Sequence, residues 1–389
     1  MRRYKTTVVL ITIIYCSFIL SGCWNNIPLS DRALIVGVGL DISEDGQIEY
    51  TMQIVNPSLI RTPMGGGTEK NAVWVHTSKG ETVFEAIRNQ YKVSNKISFF
   101  SHIQVIVIGE ELARKGIADA MDFFKRNHET RLTSNILIAK DTTAQKILRA
   151  TSDLEQIPAI HLRGIIENHK KSGDIQNSRM IDVMKLLSNN EIQPTISVVE
   201  IVGNTSDSID IHNIRIYGSG VFREDKLIGW LESEETLGLL YIKDLIKSGI
   251  LSVPNPSAKD KMVTVEAVRS YTKKDVRLVD NSPEFFIKIN ALGSIAGQEG
   301  LAETTSPDFL QKLEKECEKK IKSIVLNTVE ISQKKYNSDI MGLGELLHIE
   351  HPKYWKEVQE EWPELFSRVP VHVEVVFTIQ RTGRISTPI

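Results

Sequence analysis

Leu20-Ser21-Gly22-Cys23 is the tetrapeptide whose residue types and spacing point most directly to a chemistry. A thiol that directly follows two small residues at the end of an apolar run can receive a thioether-linked diacylglyceryl group. Arg2, Arg3 and Lys5 precede this run, which extends without a charge from Thr6 to Leu20. A charged start, an apolar middle and a small-residue cleavage site are the parts of a secretory signal.

The tetrapeptide matches the bacterial lipobox, in which cleavage before the cysteine leaves a lipidated N-terminus. We therefore expect residues 1–22 to be a lipoprotein signal peptide and Cys23 to be the lipid attachment site. An uncleaved transmembrane anchor is the alternative, but Val8–Leu20 falls short of the roughly 20 apolar residues that a bilayer core requires. Two fatty acyl chains, such as palmitate, hold a protein stably, so the body would be tethered to the outer face of a membrane.

The composition is that of a globular protein, with 41% hydrophobic and 25% charged residues. Removal of the signal leaves 367 of the 389 residues, which is more than one ordinary hydrophobic core accommodates. Loss of Arg2, Arg3 and Lys5 changes the formal net charge from −2 to −5. Because no basic block remains, the sequence argues against binding to nucleic acid or to anionic lipid.

Apolar residues repeat with strand and helix periods along the whole chain, which predicts an α/β (mixed α+β) fold with mixed sheets covered by helices. The polar stretch Asn204–Ser208 is typical of a boundary between domains. We predict an N-terminal α/β domain over residues 23–203, with a helical appendage from about residue 155. A C-terminal α+β domain should occupy residues 209–389.

Three elements characterise the predicted C-terminal domain. Ile214–Phe222 and Lys226–Trp230 should form a hairpin. Ser306 is a good N-cap and Pro307 a good first residue for a helix of roughly 28 residues, which should pack on the C-terminal sheet. Val371–Gln380 alternates apolar and polar residues, which predicts a half-buried antiparallel strand.

Two groups of residues are candidates for a catalytic or metal site, and the sequence pattern favours a structural role for both. Cys317 lies on the apolar face of the long helix, where a buried, unactivated thiol is expected. It also lacks a disulfide partner, because Cys16 leaves with the signal and Cys23 carries the lipid. The cluster His348–His351 precedes Pro352, which disfavours helix at its last residue and favours a solvated helix end over a metal site. We therefore predict no enzymatic activity, no metal and no cofactor.

Trp355, Trp362 and Phe366 are spaced so that they share one face of a helix. Packing into the core is the favoured interpretation. A stripe that binds a partner is the alternative, because aromatic residues are enriched at protein interfaces.

The chain resembles the Ger(x)C family, the lipoprotein subunits of nutrient germinant receptors in endospore-forming bacteria. The similarity begins with Ser21-Gly22-Cys23-Trp24 and the stretch from Asp31 to Asp41. Further similar segments follow in the same order: His102–Gly116, Val221–Leu231, Glu235–Gly238, Tyr336–Gly344, Pro352 with Trp355-Lys356, Trp362 and Phe366.

The resemblance implies a lipoprotein of several domains with no known enzymatic activity, at the outer surface of the spore inner membrane. It implies integral membrane partners, namely a larger sensor subunit and a transporter-like subunit, and no nucleic acid. The candidate partner surface consists of six residues: Asp31, Arg32, Trp230, Glu235, Trp355 and Trp362.

The function expected from the resemblance is a non-catalytic one, in which the subunit supports nutrient-triggered germination through assembly or signalling. A lipid-anchored solute-binding protein of a transporter is the alternative. That alternative requires a ligand cleft between the two domains.

Overall fold

A computed structural model describes residues 31–55, 73–150, 155–168, 172–202, 213–300 and 306–381, together with single positions before residue 31. Over these residues the chain forms eleven α-helices and two β-sheets, one of nine strands and one of four. The predicted mixed α+β fold, with mixed sheets covered by helices, is confirmed. Among the described helices, none is both long enough and apolar enough to cross a membrane.

The first sheet contains nine strands in the described residues: β1 (Arg32–Ile42), β2 (Ile48–Val55), β3 (Val73–Gly80), β4 (Ile97–Phe99), β5 (Val105–Ile108), β6 (Asn135–Ala139), β7 (Thr195–Val202), β8 (Asn213–Arg223) and β9 (Lys226–Leu231). Their order is β3-β2-β1-β5-β6-β7-β8-β9, with β4 beside the start of β1. All four residues of β5 are buried, because parallel strands in the middle of a sheet are covered on both faces.

Helices cover both faces of this sheet: α1 (Val83–Gln90), α2 (Glu110–Lys115), α3 (Ala118–Arg126), α4 (Ala144–Arg149), α5 (Pro158–Glu167) and α6 (Met180–Leu187). The first three and α6 share one hydrophobic cluster with the sheet, whereas α4 and α5 share another on the opposite face. Thr82 and Thr143 begin α1 and α4 as N-caps, because each side chain accepts a backbone N–H three residues further on.

The second sheet has the order β10 (Gly249–Pro254), β11 (Met262–Val279), β12 (Ser282–Gln298) and β13 (Val371–Arg381). The predicted last strand is present, but it runs parallel to β12, with Phe285 opposite Val371. The antiparallel prediction was therefore wrong. The physical reason is the long helical connection between β12 and β13, which returns the chain to the end of the sheet where β12 begins.

Five further helices lie in the described residues after β9: α7 (Ser233–Ile242), α8 (Pro307–Glu330), α9 (Leu343–Glu350), α10 (Pro352–Val358) and α11 (Trp362–Phe366). The long helix α8 buries Leu313, Cys317 and Ile321 in the same hydrophobic cluster as the second sheet, as predicted. Its last residue leads directly into a π-helical turn, Ile331–Tyr336.

The predicted domain boundary between residues 203 and 209 lies outside the described residues, and the first sheet continues across it. Val202 pairs with Asn213, and Thr195 with Val221, so β7 and β8 are antiparallel neighbours. The hairpin β8–β9 forms as predicted, but it extends the first sheet and is not part of the second. The division into two domains stays a proposal.

Candidate functional site at the junction of the two sheets

The predicted lipid site, Cys23, lies outside the described residues. The continuously described chain begins at Asp31, which is exposed, and Arg32 starts β1. The Arg32 guanidinium carbon lies 4.5 Å from the centre of the Phe99 ring. This cation–π contact fixes the start of β1 beside β4.

Trp230 is the predicted surface residue that the structure places at the junction of the two sheets. The Tyr336 hydroxyl accepts a hydrogen bond from the Trp230 backbone N–H at 3.0 Å and donates to the Trp230 carbonyl at 2.7 Å. A Cβ atom at Gly229 would lie only 2.2 Å from the Tyr336 ring. The close approach therefore requires glycine at this position.

Asp339 is a buried carboxylate that organises the segment after Tyr336. Its two oxygens accept four backbone N–H groups at 2.7–3.2 Å, from Met341, Gly342, Leu343 and Gly344. These are N–H groups at the start of α9, which have no partner within the helix. Gly342 has a φ of +74°, a left-handed conformation that glycine adopts without strain.

The same segment is bonded to the first sheet. The Ser338 hydroxyl donates to the carbonyl of Phe222 in β8 at 2.6 Å. The N–H of Gln193, just before β7, donates to the Asp339 carbonyl at 2.8 Å. We call this group of residues the joint: Phe222, Gly229, Trp230, Tyr336, Ser338 and Asp339. The joint bonds the first sheet to the segment after α8, which packs in the hydrophobic cluster of the second sheet. Its hydrogen bonds are buried at Ser338 and Asp339 and partly buried at Tyr336.

Charged side chains near the joint have shifted pKa values. Burial raises the pKa of Asp339 above the ordinary aspartate value, although the backbone N–H groups of Gly342, Leu343 and Gly344 and the charge of Lys274 act in the opposite direction. Burial, followed by the positive charge of Lys274, lowers the pKa of Lys243 to about 8. The Lys274 ammonium donates to the Met341 carbonyl at 3.1 Å. Because both oxygens of the Asp339 carboxylate accept backbone N–H groups, Asp339 is not free to act as a general base.

Glu235, another predicted surface residue, has a structural role at the start of α7. Its carboxylate accepts the backbone N–H of Glu232 in a capping box. Its carbonyl accepts a hydrogen bond from the Thr328 hydroxyl of α8 at 3.0 Å. Glu235 therefore helps to dock α7 on the long helix.

Trp355 and Trp362 are only 5% and 4% exposed, so they do not form an accessible partner surface. Their rings meet edge to face at 5.6 Å, and Trp362 also contacts Phe285 and Phe366. The assignment of these tryptophans to a partner surface is corrected to core packing. The physical cause is that the short helices α10 and α11 turn their aromatic faces onto the second sheet.

The two candidates for catalytic chemistry lack the required geometry. Cys317 is fully buried, and burial raises the pKa of its thiol to about 12. His348 bonds through Nδ1 to Glu191 at 2.6 Å and stacks on Trp355. No group of three potential metal ligands occurs within the described residues.

A wide cavity of about 1160 Å³ lies between α1 and the α2–α3 pair on the first sheet. Phe84, Phe100 and Phe123 form an aromatic wall, with ring centres 5.9–6.3 Å apart. Phe84 is 53% exposed. We call this space the apolar cavity.

Two family models match the chain in succession. The model described as the spore germination protein N-terminal domain matches residues 25–201, and the one described as spore germination B3/GerAC like, C-terminal, matches residues 217–383. The chain belongs to the Ger(x)C family. Two of the segments that carry the family resemblance, Val221–Leu231 and Tyr336–Gly344, meet in the joint.

Relatives in this family come from Bacillus subtilis (strain 168). Spore germination protein KC is 25% identical over 95% of this chain and 94% of its own length. Spore germination protein B3 is 24% identical over 94% of this chain and 95% of its own length. Among solved structures, the crystal structure of the GerBC protein has a TM-score of 0.59 and 22% identity. The structural match covers 88% of this chain and 97% of the GerBC chain, so the two proteins share a fold.

Sequence reasoning missed the roles of Tyr336 and Asp339, although both lie in a segment that it singled out. A usable signal was present for Asp339, because an aspartate followed by Gly342 and Gly344 and then by an apolar run is typical of a capped helix start. No comparable signal exists for Tyr336, whose partner Trp230 is 106 positions away.

Proposed function

We propose that this chain is a lipid-anchored, non-catalytic subunit of a membrane germinant receptor. It would act in nutrient-triggered spore germination, through assembly or signalling with integral membrane subunits. The observation that supports the proposal most strongly is the succession of two family models over residues 25–201 and 217–383. The relatives named spore germination proteins KC, B3 and A3 each align with at least 94% of this chain or of their own length.

A non-catalytic role agrees with how the reactive side chains are used. The Cys317 thiol is buried in the core of the second sheet, and the carboxylate of Asp339 is bonded to four backbone N–H groups. His348 is paired with Glu191 at a helix end. In the described residues, these groups hold the fold and do not converge on a substrate position.

The anchor explains how such a body would meet its partners. We propose that Cys23 carries a diacylglyceryl group and that the chain lies at the outer face of the spore inner membrane. The proposed partners are a larger sensor subunit and a transporter-like subunit. Asp31 and Arg32 would then lie close to the membrane, because only eight residues separate Cys23 from Arg32.

The test is a germination assay on spores that lack this gene and have no sibling receptor able to substitute for it. The proposal expects loss of the response to a nutrient, restored when the wild-type gene is returned. A normal response of the deletion strain to every nutrient would show that the proposal is wrong.

A solute-binding protein that feeds a transporter remains the alternative. It would require a ligand cleft between the two halves of the molecule, where the structure instead has the hydrogen-bonded joint. Saturable binding of a small nutrient by the purified protein, together with unchanged germination of the deletion strain, would favour this alternative.

A further inference from the structure

A second cavity, of about 520 Å³, opens at the end of the first sheet where β5 and β6 begin. Its wall is built from the turns before these two strands, the last turn of α5 and the segment before α6. We call it the basic cavity and define it by six residues: His102, Arg131, Asn135, Arg163, Asn177 and Arg179. Its volume falls within the range of small-ligand sites in proteins.

The charge of the basic cavity is the opposite of the charge of the chain. Three arginines and one carboxylate, Glu167, line it, which gives a formal net charge of +2 with His102 neutral. Arg163 is paired with Glu167 and Arg179 with Asp182, whereas Arg131 forms no ion pair with a described residue. The whole chain has a net charge of −2, so the lining of the basic cavity is opposite in sign to the chain as a whole.

Hydrogen bonds in the wall hold the side chains around the opening. Arg163 donates to the Gln104 side-chain oxygen, and the Gln104 amide donates to the His102 carbonyl at 2.7 Å. The amide of Asn135 donates to the side-chain oxygen of Asn177 at 2.6 Å. Guanidinium groups supply N–H donors in a planar fork that matches the oxygens of a phosphate group.

We propose that the basic cavity binds a phosphate-type oxyanion, held by the guanidinium groups of Arg131, Arg163 and Arg179. Two sources present this chemistry on the outer face of a membrane: a lipid headgroup and a soluble phosphate. The cavity is adjacent to the start of β1, because the His102 ring meets the Phe99 ring at 5.4 Å and Arg32 stacks on that same ring.

The lipid source rests on the proposed anchor, whereas binding of soluble phosphate does not. The chain from Cys23 to Arg32 spans at most about 30 Å when fully extended. A lipid on Cys23 would therefore keep this end of the sheet near the headgroups, where basic residues are attracted to anionic lipid.

The experiment uses the full chain in an uncharged detergent and isothermal titration in two arms. One arm adds inorganic phosphate, and the other adds dihexanoyl-phosphatidylglycerol. We expect saturable binding in at least one arm, and the arm that responds identifies the source. Arg131→Gln and Arg163→Gln should each weaken the affinity about tenfold, as expected for loss of a charged hydrogen-bonding group.

Arg126→Gln is the matched control, because Arg126 is also an exposed helical arginine paired with a carboxylate four residues away. It should leave the affinity unchanged. If Arg163→Gln also lowers the melting temperature, Arg131→Gln alone decides, since Arg131 has no carboxylate partner in the described residues. Absence of saturable binding in both arms, or equal weakening by Arg126→Gln, would overturn the proposal.

Discussion

The joint and the basic cavity use polar groups in opposite ways. In the joint, the carboxylate of Asp339 and the hydroxyl of Tyr336 are buried and hydrogen-bonded to backbone groups of the same chain. They are therefore not available to a ligand. In the basic cavity, three arginines surround an open space: the side chains of Arg163 and Arg179 are about half exposed, and Arg131 is exposed. Residues of the first kind determine stability, and residues of the second kind are available to a ligand.

The comparison also shows why matching sequence segments need not mark a binding surface. Two segments that carry the family resemblance, Val221–Leu231 and Tyr336–Gly344, meet in the joint and hydrogen-bond to each other. Arg131, Arg163 and Arg179 lie outside the segments that carried the family resemblance. The differences between these regions lead to predictions that start with the largest effect.

Replacement of Asp339 by alanine should have the largest effect on stability. It would leave four N–H groups at the start of α9 without a partner in a buried site. We expect the free energy of unfolding, measured by urea titration, to fall by about 3 kcal/mol or more.

Asp308→Ala is the matched control, because Asp308 lies in the first turn of α8 but its side chain is 73% exposed. It should change the free energy of unfolding by less than about 0.5 kcal/mol. Equal losses in the two variants would contradict the role given to the joint.

Asp41 should make the stability of the molecule depend on pH. Its carboxylate is 4% exposed and accepts the N–H groups of Ala144 and Gln145, and burial raises its pKa from 3.8 to about 6. Because the folded state binds the proton more tightly than the unfolded state, this residue lowers stability as the pH rises from about 4 to about 6. The loss should be at most about 3 kcal/mol and should then level off.

The measurement is urea unfolding of the wild type and of Asp41→Asn between pH 4 and pH 7. The stability of the wild type relative to the variant should fall most steeply between pH 4 and pH 6 and level off by about pH 7. A relative stability that rises with pH would show that the carboxylate is stabilised in its charged form.

Tyr336→Phe removes only the hydroxyl that bonds to both backbone groups of Trp230. The expected loss is about 1–2 kcal/mol in the free energy of unfolding, since the Trp230 backbone groups lose their partner in a partly buried place. Tyr354→Phe is the control, because the Tyr354 hydroxyl donates to the Asn281 carbonyl in an exposed position. If Tyr354→Phe lowers the free energy of unfolding as much as Tyr336→Phe does, the hydrogen bonds of the joint contribute no more to stability than an exposed one.

Arg131→Gln should have the smallest effect on stability. Its side chain is exposed and forms no ion pair with a described residue, so the free energy of unfolding should change by less than about 0.5 kcal/mol. The same substitution is expected to weaken phosphate binding. A large loss of stability in thermal or urea unfolding would contradict the claim that the cavity arginines, unlike the joint residues, contribute little to stability.

The sequence was sufficient where local patterns decide the structure. The hairpin β8–β9 and the long helix both follow from apolar periodicity, and Pro307 is the first residue of that helix as predicted. Ser306 occupies the N-cap position, but its side chain makes no capping hydrogen bond. The direction of β13 could not be predicted, because alternation in a single strand does not reveal how its neighbour runs.

The joint and the basic cavity also differ in how far the sequence predicts them. Asp339 carries a local capping signal, whereas Arg131, Arg163 and Arg179 come from separate segments with no common period. Only the fold brings these arginines to one cavity. Net charge did not indicate this cavity, because an overall value of −2 says nothing about where the three arginines of its lining lie.

The central claim is that the folded body is held at a membrane by a lipid on Cys23. The most direct test is metabolic labelling with a clickable palmitate analogue of the wild type, Cys23→Ala and the matched control Cys317→Ala. We predict that the wild type and Cys317→Ala take up label and sediment with membranes, whereas Cys23→Ala takes up none. Label on Cys23→Ala equal to that on the wild type would contradict the account.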